Sequence, residues 1–76
     1  MTTVKLYGLL RINSGIKERK IEATCMKDVL ADLEMQGISR QELRSCVLLI
    51  NEKPASIRSK LQDGDVVQLM SPVAGG

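Results

Sequence analysis

The residues of this chain best suited to chemistry are the last ones, Ser71-Pro72-Val73-Ala74-Gly75-Gly76, which end in two glycines at a free carboxylate. Glycine has no Cβ, so such an end fits a channel too narrow for side chains, and its wide φ/ψ range lets the carboxylate be aimed. An extended run from Pro72 to Gly76 reaches about 17 Å at roughly 3.4 Å per residue. A glycine pair at a chain end can also simply fray, so the other candidate groups must be weighed. There is no histidine, which removes zinc-finger spacing and the imidazole base. Cys25 and Cys46 are far apart and lack metal-type spacing. Cys25 falls near an expected helix start, where thiolates are favoured. The ordinary use of a single cysteine is as a small buried apolar residue, more so for Cys46 at the head of an apolar strand. Glu18, Glu22, Glu34, Glu42 and Glu52 show neither paired-carboxylate nor metal-loop spacing and read as solvated surface. No metal site is expected, and catalysis by internal side chains is not indicated.

Composition narrows the partners. A net charge of +2, mixed in sign, argues against nucleic acid or a membrane surface, and Tyr7 as the only aromatic leaves little for base stacking. No apolar run approaches the roughly 18 residues of a membrane span, and the N-terminus lacks a signal-peptide pattern, so a cytoplasmic location is expected. Seventy-six residues make one small domain; a chain of that size buries only about 60% of its unfolded surface, which leaves a thin core.

The elements that must carry the tail follow from periodicity. Thr3 to Leu10 reads as a strand with Val4 and Leu6 inward, and Lys17 to Ala23 as a second with Ile21 and Ala23 inward. Leu9, Leu10 and Ile12 break the alternation, so the connection through Asn13-Ser14-Gly15 is expected to hold a bulge or a short helical turn. Thr24 is the expected N-cap of a helix whose Met26, Val29, Leu30 and Leu33 share one face, ended by Gly37. Ser39 and Glu42 have capping-box spacing, which predicts a short turn over Arg40 to Arg44. Cys46 to Ile50 is a continuous apolar strand, covered on at least one face and partly on the other. Asn51-Glu52-Lys53-Pro54 is a turn leading to an edge strand at Pro54 to Ser56. Asp63-Gly64-Asp65 turns into a last strand with Val67 and Leu69 on one side, closed by Pro72. The expected fold is α+β, a mixed sheet packed on one main helix, with residues 1–71 as the domain and 72–76 as a flexible tail. First and last strands are expected as central parallel neighbours.

Over its whole length the chain resembles the ubiquitin-like β-grasp sulfur carriers, most closely the small subunit of molybdopterin synthase. The resemblance rests on Val4-Lys5-Leu6-Tyr7-Gly8 with Leu10-Arg11, on Ile50-Asn51, and above all on Asp63-Gly64-Asp65-Val66-Val67 running through Pro72-Val73-Ala74-Gly75-Gly76. Ser71 stands where the family often has proline, and Asn51-Glu52-Lys53 replaces a frequent Asn-Gly.

That resemblance implies a mechanism. An E1-like adenylyltransferase uses ATP to join the Gly76 carboxylate to AMP; a sulfur donor protein displaces the AMP and leaves a thiocarboxylate. The molybdopterin synthase large subunit then holds the tail while sulfur passes to a pterin precursor. Gly76 is the reacting end; Gly75, Ala74, Val73 and Pro72 thread the channel; the chain binds no cofactor itself. Tyr7, Pro54, Met70, Arg11 and Arg58 are the expected docking residues. Tyr7 covering a sheet edge, Met70 filling a gap and the arginines as solvated surface are the alternatives. Related functions are sulfur delivery to thiamine, a tRNA base, cysteine or a tungsten cofactor, and protein modification through Gly76.

Overall fold

The computed structural model describes residues 1–71; the expected tail residues Pro72, Val73, Ala74, Gly75 and Gly76 lie outside them. The elements are β1 (Thr2–Tyr7), α1 (Gly8–Ser14), β2 (Glu18–Ile21), α2 (Met26–Met35), α3 (Arg40–Arg44), β3 (Val47–Ile50), β4 (Lys53–Pro54) and β5 (Val66–Met70). One five-stranded mixed sheet runs in the order β2-β1-β5-β3-β4. β1 and β5 are parallel, with Val4 opposite Val67 and Tyr7 opposite Met70; the other pairings are antiparallel. This is the β-grasp architecture, with first and last strands as central neighbours.

Alternation decides which side of the sheet is the core. Val4 and Leu6 of β1 and Val67 and Leu69 of β5 are buried, and they meet Met26, Val29 and Leu33 of α2. Each such aliphatic side chain contributes about 1.5–3 kcal/mol on burial. Leu30, Leu48 and Ile50 pack half-buried against this cluster, and Ile38, Leu43 and Leu61 close its ends. Arg19 of β2 donates to both carboxylate oxygens of Asp32 of α2, at 2.8 and 3.1 Å, tying the edge strand to the helix.

Three expectations need correction. The first strand does not run to Leu10: Gly8 takes φ +63°, a left-handed backbone that ends β1, and residues 8–14 turn into α1. Leu10 thereby enters the core from a helix, which is why its alternation failed. The second strand is likewise shorter than Lys17 to Ala23. Thr24 does not cap α2 by accepting a hydrogen bond. Cys25 is the N-cap without a side-chain bond, and Thr24 donates through its N–H and Oγ1 to the Asp28 carboxylate, at 2.9 and 3.0 Å. Those bonds hold the Asp28 carboxyl below its usual range. Ser39 does cap α3, its Oγ accepting from the Glu42 N–H at 3.1 Å.

Candidate functional site

The tail departs from the end of β5, a central strand, beside the end of its parallel neighbour β1. Ser71, the last described residue, is held there: its Oγ accepts from the Leu10 N–H at 2.9 Å. The first amides of a helix have no intrahelical acceptor, and the Tyr7 N-cap of α1 supplies none from its side chain. Ser71 fills that role from sixty-one residues away in sequence. Gly8 lies alongside; a Cβ there would stand 3.9 Å from the Ser71 Cβ, ordinary contact, so it is the φ of +63° that calls for glycine.

Opposite the core, the sheet presents a face that no element covers among those described. Tyr7, Met70 and Val47 form one row across β1, β5 and β3, and Lys5, Gln68, Leu49 and Pro54 form the next, extending to β4. The Gln68 Nε2 donates to the Tyr7 hydroxyl at 3.2 Å, which fixes the phenol on this face. Tyr7 and Met70 are half-buried and Pro54 is exposed. Arg11 joins them, lining a hollow of about 120 Å³ with Lys5, Tyr7, Lys17 and Glu18. Arg58 does not. It lies on the loop between Pro54 and Lys60, whose Ile57 faces α2 and α3 instead.

Further residues of the site were not singled out from sequence. Val47, 48% exposed, and Leu49 belong to the outer face, a distinction hidden inside the continuous apolar run and revealed only by their partners Met70 and Gln68. Leu9 and Ile12 of α1 are also exposed, 51% and 73%, on the helix that Ser71 caps. Their three-residue spacing beside buried Leu10 was the available signal.

Both cysteines are free thiols. The Cys46 Sγ–H donates to the Glu42 carbonyl at 3.2 Å, and burial, with the Glu42 carboxylate adding to it, pushes its thiol pKa up. Cys25 is half-buried at the start of α2, bridged to Lys60 through the backbone. Among the described residues no three His, Cys, Asp or Glu side chains gather as metal ligands, and no helix is long and apolar enough to cross a membrane.

A β-grasp domain with its last strand at the centre and a sequence reaching Gly75-Gly76 is matched by one family model, that of the ThiS family, over residues 4–76. The chain belongs to the ThiS family. As a ThiS-family protein it is a ubiquitin-like sulfur carrier. Subunit 1 in the complex of subunits 1 and 2 of the molybdopterin-converting factor from Helicobacter pylori is similar at 26% identity and TM-score 0.76, over 99% of this chain and 97% of that one. SAMP1 from Haloferax volcanii shares the fold at TM-score 0.81 and 20% identity, over 99% and 98% of the two chains. A chain of the Amycolatopsis orientalis BexX/CysO complex does so at TM-score 0.74 and 20% identity, each chain covered in full at 100%. No curated protein matches this ThiS-family sequence.

Proposed function

We propose that this ThiS-family chain is the sulfur-donating small subunit of a molybdopterin synthase and has no catalytic centre of its own. The observation that carries this reading is the similarity over nearly the whole chain to subunit 1 of the H. pylori molybdopterin-converting factor, whose structure is a complex with subunit 2. The point where the described chain ends agrees with it, because Ser71 directly follows Met70, the partner of Tyr7 across β1 and β5. A partner lying on that face therefore reaches Ser71, the last described residue.

In this role an E1-like adenylyltransferase joins the Gly76 carboxylate to the α-phosphate of ATP and releases pyrophosphate. A carboxylate is a poor electrophile; the acyl adenylate is a good one, since AMP departs readily. Sulfide-level sulfur released by a sulfur donor protein attacks the acyl carbon, the carbon–oxygen bond to AMP breaks, and a thiocarboxylate remains. Its polarisable sulfur is a better nucleophile than oxygen. The synthase large subunit receives the tail, each carrier passes one of the two dithiolene sulfurs to the pterin precursor, and water hydrolyses the acyl link so that Gly76 returns as a carboxylate. Tyr7, Met70, Pro54 and Arg11 provide the docking face, and Gly75, Ala74, Val73 and Pro72 occupy the channel. Carriers for thiamine, tRNA thiolation, cysteine or a tungsten cofactor share these steps up to the thiocarboxylate and differ in the acceptor; a protein modifier differs in passing Gly76 to a lysine. Pro72-Val73 ahead of the glycines favours molybdopterin over thiamine.

Intact-mass measurement of protein purified without thiol-reactive reagents tests carriage: a species in which sulfur replaces one carboxyl oxygen supports it, and high-mass conjugates indicate a modifier. Thiocarboxylated protein mixed with a synthase large subunit and pterin precursor then tests the pathway. Failure to form dithiolene with a subunit that is active with its own carrier overturns the molybdopterin assignment. Deleting Gly76 is expected to abolish adenylation while leaving thermal stability unchanged.

A further inference from the structure

A second concave surface lies on the helical layer, away from the outer sheet face. On α2, Lys27, Leu30, Ala31 and Glu34 fall at i, i+3, i+4 and i+7; on α3, Arg40, Leu43 and Arg44 fall at i, i+3 and i+4. These two stripes and Ile57 of the loop after β4 line one groove of about 330 Å³, at the lower end of the roughly 300–1,000 Å³ typical of ligand pockets. Its floor is aliphatic. Leu43 is buried, Leu30 half-buried, Ala31 exposed, and Ile57 remains 50% exposed with nothing over it among the described residues. Its rim is cationic: the Arg40 Nε donates to Glu34 Oε1 at 3.0 Å and neutralises the acid, while Lys27 and Arg44 take part in no ion pair among the described residues.

We infer that this groove is an interaction surface for an acidic, aliphatic segment of a partner protein. Charge complementarity selects that occupant. The one acidic side chain of the rim is already paired with Arg40, so a basic segment meets only the free cations Lys27 and Arg44. A segment bearing leucine-type side chains between carboxylates fills the floor and pairs with both. Because α2 and α3 lie on the core side of the sheet, the groove stays open when a partner occupies the Tyr7–Met70 face. The chain is thus able to hold one partner at the tail and a second on the helices. This inference is independent of which acceptor takes the sulfur.

The test is titration of isotope-labelled full chain with a synthetic peptide of leucines interspersed with glutamates, against a matched peptide carrying lysine at every glutamate. Amide shifts are expected at Lys27, Leu30, Ala31, Leu43, Arg44 and Ile57 with the acidic peptide only, weakening several-fold as salt rises from about 50 to about 500 mM. Ile57→Asp, at a half-exposed site, and the double variant Lys27→Glu with Arg44→Glu are each expected to lower affinity about tenfold or more, with the remaining spectrum unchanged to show that the fold is intact. Equal response to both peptides, shifts confined to the outer sheet face, no response, or full affinity in either variant overturns the inference.

Discussion

The Ser71 hydroxyl accepts a hydrogen bond from the Leu10 N–H at 2.9 Å, joining the last residue before the tail to the first turn of α1. Leu10 itself is fully buried, so its amide has no ready replacement in water. Ser71→Ala is therefore expected to cost about 1 kcal/mol, the usual loss for a helix cap or a buried amide left unpaired. Urea denaturation measures the cost, and faster amide exchange at Leu10 locates it.

The turn between β3 and β4 consists of Asn51 and Glu52, with φ of +51° and +69°, the two-residue turn that suits a twisted hairpin. Among the described residues the Glu52 side chain makes no hydrogen bond or ion pair that offsets its left-handed backbone. Glu52→Gly is expected to stabilise the protein by about 0.5–1 kcal/mol, the strain relieved less the added freedom of the unfolded chain.

Asn51 is different because its side chain is used twice: Nδ2 donates to Asp65 Oδ1 and Oδ1 accepts from the Val66 N–H, both at 3.0 Å. It thereby pins the start of β5. Asn51→Ala is expected to destabilise by about 2 kcal/mol despite the exposed position. The same denaturation series, run on both turn variants, checks that their signs are opposite.

Asp65 also sets a pH dependence. Its carboxylate accepts from the Gln62 N–H at 2.8 Å and from Asn51, and these bonds lower its pKa from the usual 3.8. A depressed folded pKa means that the charged form stabilises the fold fully above 3.8 and that this is lost as pH falls through the folded value. Asp28, lowered by its bonds from Thr24, acts in the same direction. The urea midpoint is expected to fall between neutral pH and the region below 3.8, and to fall less in Asp65→Asn.

Val47 tests the outer face. It is 48% exposed and paired with Met70, so Val47→Asp is expected to change stability by no more than about 1 kcal/mol. The proposed docking predicts about tenfold weaker binding to the synthase large subunit, as for truncation of an apolar contact within an interface. Calorimetric titration reads the affinity; a large loss of stability at unchanged affinity contradicts the assignment.

Cys46 is expected to alkylate slowly at neutral pH, since burial raises its thiol pKa above the usual 9.0 and keeps the thiolate scarce. Peptide mapping after brief iodoacetamide treatment across a pH series checks this.

Local pattern alone determined much of this protein. Met26, Val29, Leu30 and Leu33 name the core face of α2 because a 3.6-residue period admits one buried stripe, and Val67 with Leu69 names the core side of β5 because a strand alternates. Ser39 announces α3 through a bond spanning three residues. The chemistry proposed for Gly75-Gly76 is read equally locally, from two residues without side chains. What crosses the chain was decided by tertiary structure. Leu10 looked like strand until Gly8 turned it into α1, and that helix depends on Ser71 from the far end of the sequence. The apolar run Val47 to Ile50 hid its outer residues until pairing with β5 assigned Val47 and Leu49 to the open face. Arg11 and Arg58 looked equivalent as exposed cations, yet one stands beside Tyr7 and the other on a different loop. The physical reason is common to all three: sequence period reports the side of an element that is buried, whereas which elements meet is set by long-range pairing and packing that no short window contains.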